Sequence, residues 1–115
     1  MTQSLRVAVV CRMGVIRSVT MVNLLKDRGH KAVAMGMDHH KGLQAAVVLA
    51  DVILLVPLIR ELKPGKVRQL ERAHPDVREI STIPGRDTWG RVGHPDLVDK
   101  LTQWLDTQPD LGATS

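Results

Sequence analysis

Three residues near the N-terminus have the types and the spacing that phosphate chemistry requires. The run VAVVC ends at Cys11, the only cysteine in the chain, and Arg17 and Ser18 follow after five intervening residues. A thiolate is a good nucleophile towards phosphorus. A guanidinium can bind two phosphate oxygens at once, and a serine hydroxyl can donate a hydrogen bond to the sulfur. A lone cysteine after an apolar run is often only a small buried hydrophobe, so both interpretations stay open at this point.

A loop between a strand and a helix would bring these residues together. Residues 5–10 (LRVAVV) are apolar on both faces, which predicts a buried strand, and the apolar spacing that begins near Ser18 predicts a helix ending at Arg28. Backbone N–H groups in such a loop can converge on one centre, and the helix N-terminus adds positive potential. This environment favours a bound oxyanion and a cysteine thiolate.

The rest of the chain alternates strands with helices. Such an alternation predicts an α/β fold with a parallel sheet covered on both faces, in which ligands bind beyond the carboxyl ends of the strands. Residues 1–108 are predicted to form one domain and residues 109–115 a flexible polar tail. The further strands are predicted at 31–35, 52–57 and 77–80, and the further helices at 40–49, at 64–72 and from Pro95.

Composition narrows the function classes. The 115 residues are enough for one domain, 43% of them are hydrophobic and only 2% are aromatic. The formal charge of +4 favours anionic ligands, but no basic run alternates with aromatic residues as in nucleic-acid binders. The single cysteine allows no internal disulfide, and no apolar run is long enough to span a bilayer. We therefore expect a cytoplasmic protein without nucleic-acid or membrane partners.

The segment from Cys11 to Ser18, CRMGVIRS, resembles the phosphate-binding loop of the low-molecular-weight protein tyrosine phosphatases, and most closely a short bacterial branch of them. The resemblance implies a three-layer α/β sandwich whose four parallel strands have the order 2-1-3-4. It also implies a cysteinyl-phosphate intermediate and no metal or other cofactor. Cys11 would be the nucleophile, Arg17 the phosphate-binding arginine and Ser18 the hydroxyl that supports the thiolate. The substrate-binding loop would also include Arg12, Met13, Gly14, Val15 and Ile16.

A second motif would supply the acid that protonates the leaving group. The stretch Asp87-Thr88-Trp89-Gly90 resembles the Asp-Pro-aromatic motif of the family, with threonine in place of proline. By this resemblance Asp87 is the general acid and later the base that activates water, and Trp89 stacks on an aryl leaving group. Asp87 capping a turn is the alternative, and Asp96 is a competing carboxylate that more readily supports the first turn of the last helix.

Several residues depart from the family pattern. Met13 and Gly14 stand where the family has glycine and then asparagine, and Gly14 can adopt a left-handed backbone without the bonds of that asparagine. Ile16 stands where many members have a second cysteine, so a protective disulfide at this loop is impossible. These departures keep open a weakened module that binds phosphate without turnover.

The sequence therefore predicts a phosphatase acting on a phosphorylated protein or a small aryl phosphate, with phosphate, sulfate or vanadate as loop ligands. A phosphocarrier of the enzyme IIB type is an alternative, although a carrier needs neither Arg17 nor an acid. The stretch Asp38-His39-His40 has no third ligand at a suitable spacing for a metal site. Its position after the second predicted strand places it beside the pocket.

Overall fold

The first strand in the chain is one of the two inner strands of the sheet. The computed structural model describes residues 3–11, 16–57, 59–83 and 89–112. Four parallel strands lie in the order β2-β1-β3-β4, with helices on both faces, which confirms the predicted fold class and strand order. In chain order the elements are β1 (Arg6–Cys11), α1 (Ile16–Asp27), β2 (Lys31–Gly36), α2 (His40–Leu49), β3 (Val52–Leu55), α3 (Ile59–Leu62), α4 (Pro64–Ala73), β4 (Val77–Glu79), α5 (Pro95–Leu105) and a 3₁₀ turn (Pro109–Leu111).

Strand β1 is buried on both faces because its apolar side chains alternate between two cores. One core lies between the sheet and the pair α1 and α5, and it includes Val7, Val9 and Cys11 from β1. The other core lies between the sheet and the helices α2, α3 and α4, and it includes Ala8 and Val10. The side chain of Cys11 is therefore on the α1 and α5 side of the sheet.

Some element ends differ from the prediction. Strand β1 continues through Cys11, which pairs with Gly36 of β2, and α1 begins at Ile16, two residues before the expected start. The short helix α3 was not expected, because four residues are too few to show a helical period. Within the described residues, no helix is both long enough and apolar enough to cross a membrane.

The segment expected to be a flexible tail instead packs against the fold over residues 109–112. Leu111 is fully buried in the core on the α1 and α5 side, and apolar burial outweighs the polarity of its neighbours. The Arg78 guanidinium donates to both carboxylate oxygens of Asp110, at 2.9 and 2.7 Å. His30 Nε2 donates to the Gly112 carbonyl at 2.8 Å, while its Nδ1 accepts from the Leu5 N–H at 3.1 Å.

Candidate active site

Cys11, the only cysteine in the sequence, lies at the carboxyl end of the inner strand β1. Cys11 is 5% exposed, and its carbonyl accepts a hydrogen bond from the Met37 N–H at 2.8 Å. On the other side of β1, the Val56 N–H donates to the Val10 carbonyl at 3.0 Å. The chain segments that follow β2 and β3 therefore flank the point where β1 ends. Open α/β sheets bind their ligands at this kind of position.

A buried hydroxyl faces the thiol. Ser18, in the first turn of α1, is completely buried, and its Oγ lies 3.2 Å from the Cys11 Sγ in a hydrogen bond that either atom can donate. Cys11 belongs to an apolar core, and this position alone is equally compatible with a cysteine that only packs. The Ser18 hydroxyl is hydrogen-bonded, as expected of a buried polar group, since burial without a hydrogen bond costs free energy. In this pair the serine hydroxyl can donate a hydrogen bond to the sulfur.

Arg17 and Ile16 share this first turn of α1 with Ser18. Both residues are partly buried, and Ile16 packs against the core on the α1 and α5 side. The structure thus places four of the predicted site residues at one junction between a strand and a helix, namely Cys11, Ile16, Arg17 and Ser18. Five other predicted site residues lie outside the described residues, namely Arg12, Met13, Gly14, Val15 and Asp87, as does Thr88.

Trp89 belongs to a segment that is tied to the start of α1. The Gly93 N–H donates to Thr20 Oγ1 at 3.0 Å, and the same hydroxyl donates to the Ile16 carbonyl at 2.6 Å. Trp89 is partly buried against the core that also contacts Ile16, and its ring centroid lies 5.6 Å from that of His94 at an interplanar angle of 56°. Thr20 therefore connects the segment carrying Trp89 to the helix carrying Ser18.

Helix α5 begins beside Trp89. His94 Nδ1 accepts the Asp96 N–H at 3.2 Å and caps the helix. Asp96 lies in the first turn of α5, as expected of a carboxylate that favours a helix N-terminus.

The turn between β2 and α2 carries a cluster of charges. The Asp38 carboxylate contacts Lys66 Nζ at 2.8 Å and Lys63 Nζ at 3.4 Å. Hydrogen bonds from Lys66 and Lys63, and the positive charges of both, hold the pKa of Asp38 below its ordinary value. His39 Nδ1 accepts the Gly42 N–H at 3.0 Å, so this ring caps α2. Among the described residues, no group of three or more His, Cys, Asp or Glu side chains is placed to hold a metal ion.

A search against models of known protein families and a search of curated proteins both find no match to this chain.

Two contacts near the carboxyl ends of the strands are not predicted by the sequence. The Thr20–Gly93 bond joins residues 73 positions apart, and Lys66 is 28 positions from Asp38. A threonine inside a helix and two lysines three residues apart are ordinary sequence patterns. Only the fold shows which residues they meet.

Proposed function

We propose that this protein is a cysteine-dependent phosphatase that hydrolyses phosphotyrosine or related aryl phosphate monoesters through a cysteinyl-phosphate intermediate. The observation that carries the proposal is the buried contact of 3.2 Å between Cys11 Sγ and Ser18 Oγ. Cys11 is the last residue of β1, and Ser18 lies in the first turn of α1. The C-x5-R-S motif and its resemblance to low-molecular-weight phosphatases support the same assignment.

In the first chemical step the Cys11 thiolate attacks phosphorus. An S–P bond forms, the bond from phosphorus to the aryl oxygen breaks, and the departing oxygen takes a proton from the general acid, for which we propose Asp87. In the second step a water molecule attacks the phosphocysteine and gives a proton to the same carboxylate. The S–P bond then breaks, and inorganic phosphate and the thiolate are regenerated.

Two further side chains would assist this chemistry. Arg17 can offer two parallel N–H groups to the equatorial phosphate oxygens, in the first turn of a helix whose N-terminal dipole favours negative charge. Ser18 can donate a hydrogen bond to the thiolate, which stabilises the sulfur as a leaving group in the second step. Because the Thr20–Gly93 bond connects the Trp89 segment to α1, an aryl group held against Trp89 would lie beside the N-terminal part of this helix.

The test is steady-state hydrolysis of p-nitrophenyl phosphate, with vanadate as inhibitor. We expect turnover by the wild type, competitive inhibition by vanadate and no turnover by Cys11→Ser. The variant Asp87→Ala should slow esters with poor leaving groups more than those with good ones, since only poor leaving groups need the acid.

Two other outcomes would contradict the proposal. Vanadate binding by a folded protein without turnover would indicate a module that only binds phosphate. A phosphocysteine that persists after donation from a partner protein would indicate a phosphocarrier.

A further inference from the structure

A carboxylate is already held between two lysines beside the candidate site. Asp38 lies 2.8 Å from Lys66 Nζ and 3.4 Å from Lys63 Nζ, and its side chain is 60% exposed. The side chains of Lys63 and Lys66 are 35% and 31% exposed, so the cations are more enclosed than the anion they share. Two positive charges against one negative charge leave this cluster with a net charge of +1.

This cluster borders the end of the strand that carries the thiol. Gly36 pairs with Cys11 in the sheet, and the Met37 N–H donates to the Cys11 carbonyl. Asp38 is the next residue, and neighbouring strands lie about 4.8 Å apart with about 3.3 Å per residue along the chain. The Asp38 backbone is therefore within about 10 Å of the Cys11 backbone, a span of two or three residues in an extended peptide.

The lysines are also accessible to an incoming group. Lys66 lines a cavity of about 200 Å³ between α2 and α4, together with His40, Gln44 and Gln69. An exposed ion pair is worth little in water, because solvent screens the charges and the side chains lose freedom when they pair. Replacing the Asp38 carboxylate by another carboxylate would therefore cost little and would keep both lysines paired.

We propose that Lys63 and Lys66 bind a carboxylate of the substrate, and that Asp38 occupies their site when no substrate is present. The substrate class is then a phosphopeptide with an aspartate or glutamate two or three residues from the phosphorylated side chain. The inference rests on the proposed function, because that function places the phosphate in the loop that follows Cys11.

The experiment compares two labelled phosphotyrosine peptides by fluorescence anisotropy. One peptide carries aspartates at two and three residues from the phosphotyrosine, and the matched peptide carries asparagines there. Binding is measured in a Cys11→Ser background, so that no turnover occurs. We expect the acidic peptide to bind about 3–10-fold more tightly at low salt, with the difference shrinking as ionic strength rises.

Three variants identify the residues responsible. The ratio that is compared is the dissociation constant of the asparagine peptide divided by that of the acidic peptide. The double substitution Lys63→Gln and Lys66→Gln should bring this ratio to about 1. The variant Asp38→Asn should raise the ratio, because it removes the competing carboxylate. The control pair Lys26→Gln and Lys31→Gln removes the same charge from the last turn of α1 and from the amino-terminal end of β2, and the ratio should persist in it.

Three results would contradict carboxylate binding by Lys63 and Lys66. They are equal binding of the two peptides by the Cys11→Ser protein, no binding of either peptide, and a ratio that falls as far in the Lys26/Lys31 control as in the Lys63/Lys66 variant. A ratio that falls in Asp38→Asn would also contradict it. Hydrolysis of p-nitrophenyl phosphate by the protein with Cys11 intact is measured alongside. Failure of that hydrolysis rejects the phosphatase, whereas failure of the peptide ratio rejects only the lysine site.

Discussion

Replacing Ser18 by alanine tests the hydrogen bond on which the proposed chemistry depends. The substitution removes a fully buried hydroxyl that lies 3.2 Å from the Cys11 sulfur. A hydrogen bond to a charged group contributes about 1.5–3 kcal/mol. Since about 1.4 kcal/mol corresponds to a factor of ten in rate, losing this bond should slow the step that releases the thiolate by about 10–150-fold.

The effect should be confined to the second chemical step. In the first step the thiolate attacks, and a sulfur that lacks the Ser18 hydrogen bond is no weaker as a nucleophile. In the second step the sulfur leaves with a negative charge that the hydroxyl would have stabilised. With p-nitrophenyl phosphate, Ser18→Ala should therefore show a rapid burst of p-nitrophenol equal to the enzyme concentration, followed by slow steady-state turnover.

The matched control is Ser4→Ala, which removes an exposed hydroxyl that donates to the Gly29 carbonyl at 2.9 Å. This variant should retain wild-type kinetics. If Ser18 only fills space, Ser18→Ala should change the free energy of unfolding by about 1 kcal/mol and leave turnover unchanged. A folded Ser18→Ala protein with wild-type turnover and no burst would refute the reasoning.

Three further predictions concern the segments that support the site. Thr20→Val removes the acceptor of the Gly93 N–H bond. Urea denaturation should therefore show a loss of about 1–2 kcal/mol in unfolding free energy, and the KM for p-nitrophenyl phosphate should rise. Leu111→Ala should cost about 2–4 kcal/mol in the same denaturation assay, whereas a mobile tail would give no change. The hydrogen bonds and charge of Arg78 lower the pKa of Asp110 from its ordinary value of 3.8, so their stabilisation exists above that value and is lost as the pH falls through the lowered pKa. Asp110→Asn should therefore lower Tm at neutral pH and make the fall of Tm below about pH 4 shallower, and an unchanged acid profile would contradict this.

The strand and helix pattern of this chain is readable from local sequence. The apolar run before Cys11 and the apolar spacing after Ser18 predict β1 and α1 to within two residues, because burial on one or both faces determines which residues each position accepts. Residues 109–112 were predicted incorrectly, because a polar composition conceals one leucine that meets a distant core. The two residues beside Leu111 are bonded to distant partners, Asp110 to Arg78 and Gly112 to His30, which no local sequence pattern connects to this segment.

For the candidate site, the sequence indicates which residues have suitable side chains for the chemistry. It does not indicate the contacts that hold these residues in place. The spacing between Cys11 and Ser18 is short, and a strand followed by a helix is enough to bring the two side chains together. The support given by Thr20 and the pairing of Asp38 with Lys66 join separate elements. Their geometry depends on how α1, α4 and the turn after β2 pack on the sheet.

The most direct test of the central claim is rapid-quench trapping of the enzyme with a phosphotyrosine peptide that carries a radioactive phosphate. The account predicts a labelled enzyme within the first turnover, with the label on the peptide fragment that contains Cys11, and no label on Cys11→Ser. Turnover that leaves Cys11 unlabelled, or a Cys11→Ser protein that hydrolyses the peptide at the wild-type rate, would contradict the account.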